Sequence, residues 1–216
     1  MQPIRVLHIV TYMGRGGLET MLMNYYRHID RTKVQFDFLV HRDFEADYDA
    51  EILSLGGKIH HVSRLVPWSK SYQNELRTFF KAHPEYRIVH VHQDCLSSVA
   101  LKVAKECGVP VRIAHSHSSS ADKNLKYWIK RYYMKKISKY ATDLFACGKK
   151  AGDWMFGGEK YQIVRNAIDA KRYTYSMATA EKVRTSLNLH DELVVGHVGR
   201  FNPPKNHTFL IDIFYE

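Results

Sequence analysis

A recurring order narrows the fold of this chain more than any other feature: a short apolar run, a turn, then a segment whose apolar residues recur at helical spacing. Ile4 to Val10 reads Ile-Arg-Val-Leu-His-Ile-Val, and Leu18 to Ile29 sets Leu18, Met21, Leu22 and Tyr25 on one helical face. Val34 to Val40 is a second strand, with Phe36, Phe38 and Val40 alternating inward. Tyr48 to Leu55 is a short helix stopped by Gly56-Gly57, and Lys58 to Val62 is the next strand. The order continues with a helix over Tyr72 to Ala82, a strand over Arg87 to His92, a helix over Leu96 to Cys107 and a strand over Val111 to His115. A long helix over Lys123 to Tyr140 then precedes strands at Asp143 to Cys147 and Tyr161 to Val164, around a brief helix at Lys149 to Phe156. Near-continuous apolar strands separated by helices are what a parallel sheet covered on both faces requires. The expected class is α/β, a doubly wound and mostly parallel Rossmann-like sheet with its ligand at the carboxyl ends of the strands.

A second unit starts late. A helix over Ala178 to Leu189 is followed by a strand over Leu193 to Val198, a loop with Pro203-Pro204 and a helix from His207. One strand and one helix cannot bury a core. Residues 1–175 are therefore expected as the first domain, 176–192 as a connecting helix and 193–216 as the truncated start of another Rossmann-like domain.

Composition removes several classes. With 216 residues, 45% hydrophobic and 25% charged, the chain is neither fibrous, low-complexity nor disordered. It contains no apolar run of about 18 residues that could cross a bilayer. Met1-Gln2-Pro3-Ile4-Arg5 leads straight into a strand, without the pattern of a secretory leader. Cys95, Cys107 and Cys147 are odd in number, widely spaced and beside apolar runs, as buried thiols of a reducing compartment would be. A cytoplasmic protein is expected.

The net charge of +10 is concentrated. Between Ala121 and Tyr140 stand seven basic residues and one acid, Asp122. There Lys126, Lys130, Arg131 and Lys135 interleave with Tyr127, Trp128, Tyr132 and Tyr133. Rings at an interface and cations toward anionic headgroups characterise a helix that lies on a membrane. Lys126, Trp128, Lys130, Arg131 and Lys135 are accordingly candidates for peripheral attachment to the inner face of the cell membrane. A solvated outer helix is the plainer alternative. Nucleic acid is not expected as a partner, because no reader motif accompanies the stripe.

Gly14-Arg15-Gly16-Gly17 joins the first strand to the first helix. Backbone amides at such a helix start can receive a phosphate or a hydroxyl group. Glu19 follows in the first turn, where an acid also suits the helix dipole. The pattern is neither Gly-x-Gly-x-x-Gly nor a Walker loop, and His41-Arg42 ends the second strand where a nicotinamide dehydrogenase has an acid. His90 and His92 end one strand, and His115 and His117 the next. Without convincing carboxylate spacing beyond Asp94, no metal and no cofactor are expected. Packing suits His90 and His115, while His117 is placed to meet a sugar hydroxyl. Finally, Arg200 and Lys205 stand at the strand-to-helix junction of Val198-Gly199-Arg200-Phe201, where two cations match a diphosphate.

Gly14-x-Gly16-Gly17-Leu18-Glu19, His115-Ser116-His117, Asn166-Ala167-Ile168-Asp169 and Val198-Gly199-Arg200-Phe201 with Lys205-Asn206 together resemble glycosyltransferase family 4 enzymes of the GT-B fold. The chain is most similar to those that build bacterial capsules and exopolysaccharides, and the likeness spans essentially its whole length. The resemblance implies two Rossmann-like domains, the first holding a lipid-linked or glycan acceptor and the second a nucleotide-diphosphate sugar, with UDP as the expected nucleotide. It implies metal-independent transfer with retention. His117 would contact the transferring sugar, Gly16 and Gly17 would approach the donor phosphates, and Arg200 and Lys205 would grip the diphosphate. Ala167 replaces the glycine frequent in the family, and the family's paired donor-binding glutamates lie beyond Glu216, so this piece is expected to fold but not to turn over. The alternatives are a sugar-nucleotide epimerase on the same architecture and a non-catalytic module for anionic lipid or nucleic acid.

Overall fold

The computed structural model describes residues 2–119, 125–199, 201 and 205–216, apart from the side chains of Leu125 and Lys126. Seven strands form one parallel sheet: β1 Ile4–Ile9, β2 Val34–Val40, β3 Ile59–His61, β4 Ile88–Val91, β5 Val111–Ser116, β6 Asp143–Ala146 and β7 Gln162–Ile163, in the order β3-β2-β1-β4-β5-β6-β7. The order reverses between β1 and β4, which makes the crevice beyond their carboxyl ends the natural ligand position. Pairing sets His8 beside both Phe38 and His90, and His115 beside Phe145.

Helices cover the sheet from opposite sides. α1 (Gly17–His28) and α2 (Asp49–Ser54) bury Met21, Leu22, Tyr26 and Ile52 with Phe38 and Val40. α3 (Lys70–Ala82) and α4 (Ser97–Glu106) pack on the other face, over Leu7, Ile9, Val89, Val91 and Ala114. In α3 the buried residues Tyr72, Leu76 and Phe80 recur every four positions, and Ser69 caps the helix by accepting the Tyr72 N–H at 3.2 Å. Gly56 ends α2 at φ +87°, and a Cβ on Gly57 would stand 2.7 Å from the Phe36 carbonyl oxygen. The glycine pair is thus required both by the left-handed turn and by its close approach to β2.

One polar group sits inside this apolar frame. Asp37 is fully buried and takes two 2.5 Å hydrogen bonds from the Arg5 guanidinium, one at 2.7 Å from the Lys58 N–H and one at 2.9 Å from the Tyr86 hydroxyl. β1, β2, the start of β3 and the turn before β4 are tied through a single carboxylate.

Two expected elements differ. The basic helix is divided into α5 (Leu125–Met134) and α6 (Ile137–Tyr140). The Lys136 N–H bonds the Tyr133 carbonyl, a tightened turn that lets Met134 and Ile137 both enter the core. Over Leu193–Val198 no strand forms among the described residues, and Leu193 and Val198 are almost wholly exposed. A strand needs a partner for its backbone groups, and the described residues around this run supply none.

α7 (Lys149–Phe156) and a 3-10 turn at Asp94–Leu96 complete the described secondary structure of the first compact unit, Met1–Asp169. The second unit, Ala170–Glu216, contains α8 (Met177–Ser186), capped by Ser176, and α9 (His207–Tyr215). Among the described residues, no helix is long and apolar enough to cross a membrane.

Asp37→Asn should destabilise the protein by about 3–5 kcal/mol, because Arg5 would keep its charge in a site that no longer neutralises it. Urea denaturation of the variant beside the parent protein measures the loss.

Candidate functional site

Alternation along parallel strands places residues two apart on one face, and here it assembles a row of imidazoles. His8 lies in β1, His90 and His115 lie in β4 and β5, and His92 and His117 stand just beyond those two strands. His8 Nδ1 meets His92 Nε2 at 3.0 Å, and His92 Nδ1 meets His117 Nε2 at 2.9 Å. His90 Nε2 meets His115 Nδ1 at 3.1 Å. The rings pack as well: the His115 and His117 centroids are 4.2 Å apart, and His8 contacts Phe36 and Phe38. The row crosses the switch point and ends on His117, half-buried just beyond β5.

His115 is buried, as the sequence suggested, and His90 is partly so. The sequence reading missed His8, a solitary histidine in an apolar strand. Its signal was parity: it falls in register with His90 across the β1–β4 pair.

Burial holds these rings neutral. It lowers His8 to about 3, His115 to about 2 and His117 to about 4, with neighbouring histidines adding to the shift of the first two. His90 and His92 are also pushed well below the ordinary histidine value, chiefly by burial. Among the described residues, His8, His90 and His92, and likewise His92, His115 and His117, each bring three ring nitrogens within 4.8 Å of one another. His92 belongs to both groups and already uses both nitrogens. A metal at either would have to displace one of its bonds.

The glycine turn opens beside β1. Gly16 is the N-cap of α1, with extended backbone, and Gly17 leads the helix with open space where a side chain would project. The Glu19 carboxylate folds back over Gly16, in the third helical position from which a capping glutamate reaches toward the N-cap. An anion approaching these amides meets open space at Gly17 and the Glu19 carboxylate at Gly16.

The other candidates are dispersed. Trp128 and Tyr132 on α5 are 71% and 57% exposed, Lys130 and Lys135 are exposed, and Arg131 is partly covered. This is the geometry of a ring-bearing, cationic outer surface. Lys126 belongs to α5, but its side chain lies outside the described residues. Lys205 is exposed in the second unit with its stem against Gly199, and Arg200 lies outside the described residues.

A family model for "Glycosyltransferase Family 4" matches residues 15–172. The chain belongs to glycosyltransferase family 4. Within the curated proteins it is 36% identical over 220 residues to EpsF of Bacillus subtilis (strain 168), a protein provisionally assigned as a glycosyltransferase. That match takes in 97% of this chain and 57% of EpsF, so the chain spans little more than half of its relative. Among solved structures, Anabaena Alr3699/HepE in complex with UDP superposes with a TM-score of 0.76 at 15% identity, over 97% of this chain and 57% of that one. The same protein with UDP-glucose gives 0.74 at 16% identity over the same shares. MurG of Acinetobacter baumannii gives 0.52 at 10% identity, over 82% of this chain and 47% of that one. The fold is that of a GT-B amino-terminal domain.

For the family 4 chain, the neutral histidines set an acid limit. Their folded pKa values lie below the unfolded value of about 6.5, so on acidification the unfolded chain binds protons first. Their contribution is therefore complete above about pH 6.5 and is lost as pH falls toward the folded values. Going from pH 7 to pH 5, His8 and His115 should each cost up to about 2 kcal/mol. Denaturant titrations at the two pH values should show this fall, and His115→Gln should make it shallower by about one proton.

Proposed function

We propose that this chain serves a retaining glycosyltransferase that moves a sugar from a nucleotide-diphosphate donor, a UDP-sugar, to a lipid-linked or glycan acceptor in exopolysaccharide synthesis. The observation that carries the reading is the membership of family 4, and the histidine row that ends on His117 beyond β5 supports it. The UDP and UDP-glucose bound by HepE support the choice of nucleotide. In this reading residues 1–175 form the acceptor-side domain, 176–192 the connection and 193–216 the start of the donor-side domain.

The chemistry asks for few groups. The bond from the anomeric carbon to the diphosphate oxygen breaks, an acceptor oxygen forms the new bond on the same face, and the acceptor proton leaves on the released nucleotide. Charge grows on the departing diphosphate, where Arg200 and Lys205 stabilise it, with the amides of Gly16 and Gly17 as further donors. Glu19 guards those amides until a ligand exchanges with it. His117, neutral and held by His92, contacts the transferring sugar as a hydrogen-bonding group. The reaction calls for no metal and no cofactor.

Exposed Trp128, Lys130 and Lys135 and partly covered Arg131, with Lys126 in α5, support attachment to an anionic membrane surface. Such a surface brings the domain to a lipid-linked acceptor on the cytoplasmic side.

The full-length protein, offered UDP-, GDP- and ADP-sugars with a membrane lipid extract and no added metal, should release UDP in proportion to extract. Lys205→Ala should lower that rate by about 100-fold or more. Undiminished turnover would remove Lys205 from the site, and silence across the panel from a folded protein would count against the transferase reading. Separately, replacing Lys130, Arg131 and Lys135 together by alanine should abolish co-sedimentation with phosphatidylglycerol vesicles. Each cation near such a surface contributes about 1 kcal/mol.

A further inference from the structure

His41-Arg42 closes β2 at the carboxyl end of the sheet, where the transferase chemistry assigned above gives it no task. There the structure forms a cleft of about 250 Å³, lined by Thr11, His41, Arg42, Arg64, His92 and Gln93 among others. Two arginines that follow different strands, half-buried Arg42 after β2 and exposed Arg64 after β3, therefore line one concave site.

Their charge is not used internally. Among the described residues, the arginines ion-paired to carboxylates are Arg5, Arg15, Arg27, Arg77 and Arg184. Arg42 donates to the carbonyl of its neighbour His41 at 3.3 Å. Glu75, on the adjoining helix, is taken by the Ser63 N–H and hydroxyl at 2.5–3.1 Å. Asp94 also lines the cleft, and its carboxylate accepts from the Ser118 hydroxyl at 3.3 Å.

The wall behind the arginines is fixed. The His41 Nδ1–H donates to the Val10 carbonyl at 2.7 Å, while its Nε2 accepts from the Tyr72 hydroxyl at 2.8 Å. That ring adds no charge of its own, since burial lowers its pKa. The Gln93 side-chain amide is held against the same imidazole at 3.1 Å. A pair of arginines against a fixed imidazole and amide wall, outnumbering the single Asp94 carboxylate of the cleft, suits a phosphate or carboxylate group, whose oxygens match the planar donor fork.

Position says which substrate supplies the anion. His92 lines the cleft and is bonded directly to His117, so a group held there is one imidazole away from the transferring sugar. The donor diphosphate already has cations assigned to it, Arg200 and Lys205. We propose that Arg42 and Arg64 clamp a phosphate or carboxylate group of the acceptor, so that the acceptor is an anionic glycan or glycolipid rather than a neutral sugar. This rests on the transferase reading.

The test uses full-length protein and calorimetric titration with three probes: inorganic pyrophosphate and glucuronate, each with UDP at saturation to occupy the donor diphosphate site, and UDP-glucose alone. One of the two small anions should bind, pyrophosphate indicating a phosphate-bearing acceptor and glucuronate an acidic sugar. Arg42→Ala/Arg64→Ala should weaken that binding at least tenfold and leave UDP-glucose affinity within twofold. In turnover it should raise the KM for acceptor without changing the KM for donor. Arg42→Lys/Arg64→Lys, which keeps the charges, should recover part of the anion affinity, and thermal melts establish that each variant is folded.

Equal anion affinity in the alanine double variant overturns the clamp. So does a parallel loss of UDP-glucose binding, which would give the arginines to the donor. Wild-type protein that binds UDP-glucose but neither anion overturns the clamp alone. Wild-type protein that binds an anion but no nucleotide sugar overturns the transferase reading, and the acceptor assignment with it.

Discussion

Burial of a parallel sheet on both faces is the constraint on which the rest depends. Once α1 and α2 cover one side and α3 and α4 the other, a polar side chain on a central strand has no water to fall back on. Asp37 meets that condition with four donors gathered from β1, the start of β3 and the turn before β4. The histidines meet it with one another. Two of the buried polar clusters in this domain show the two solutions: a charged knot toward the amino end of the sheet and a neutral row leading to its carboxyl end.

Much of the fold was legible in the sequence because its pattern and its tertiary environment agree. β2 was read as Val34–Val40 and α7 as Lys149–Phe156, the bounds that the structure gives. The departures have physical causes. The run at Leu193–Val198 has strand composition, but composition cannot provide the neighbour that a ladder needs. The basic segment has continuous helical spacing, yet burial of both Met134 and Ile137 outweighs its continuity. Neither is a failure of local propensity, for each depends on what the segment meets when the chain folds.

The site was legible in a different way. Strand ends and the glycine turn marked the candidate site, and His117 was placed by standing last in its strand pair, at the start of the loop after β5. The partners of each group were not legible. Glu19 closing over Gly16 depends on a side-chain rotamer, and the His92–His117 bond depends on the β4–β5 register. Arg42 and Arg64 stand 22 positions apart, and only the β2–β3 pairing brings them to one cleft.

The bonds from His8 to His92 to His117 have a consequence of their own. A neutral imidazole has one N–H and one bare nitrogen, so consecutive links must point the same way. The three rings behave as a single dipole with two orientations: either every proton sits on Nδ1, or every proton sits on Nε2. A ligand that demands an acceptor or a donor from His117 selects the orientation of the whole row, down to the buried Nε2 of His8, which has no partner. Occupancy of the crevice would thus be written into the tautomer of a ring on the far side of the switch point, without any atom heavier than hydrogen having to move.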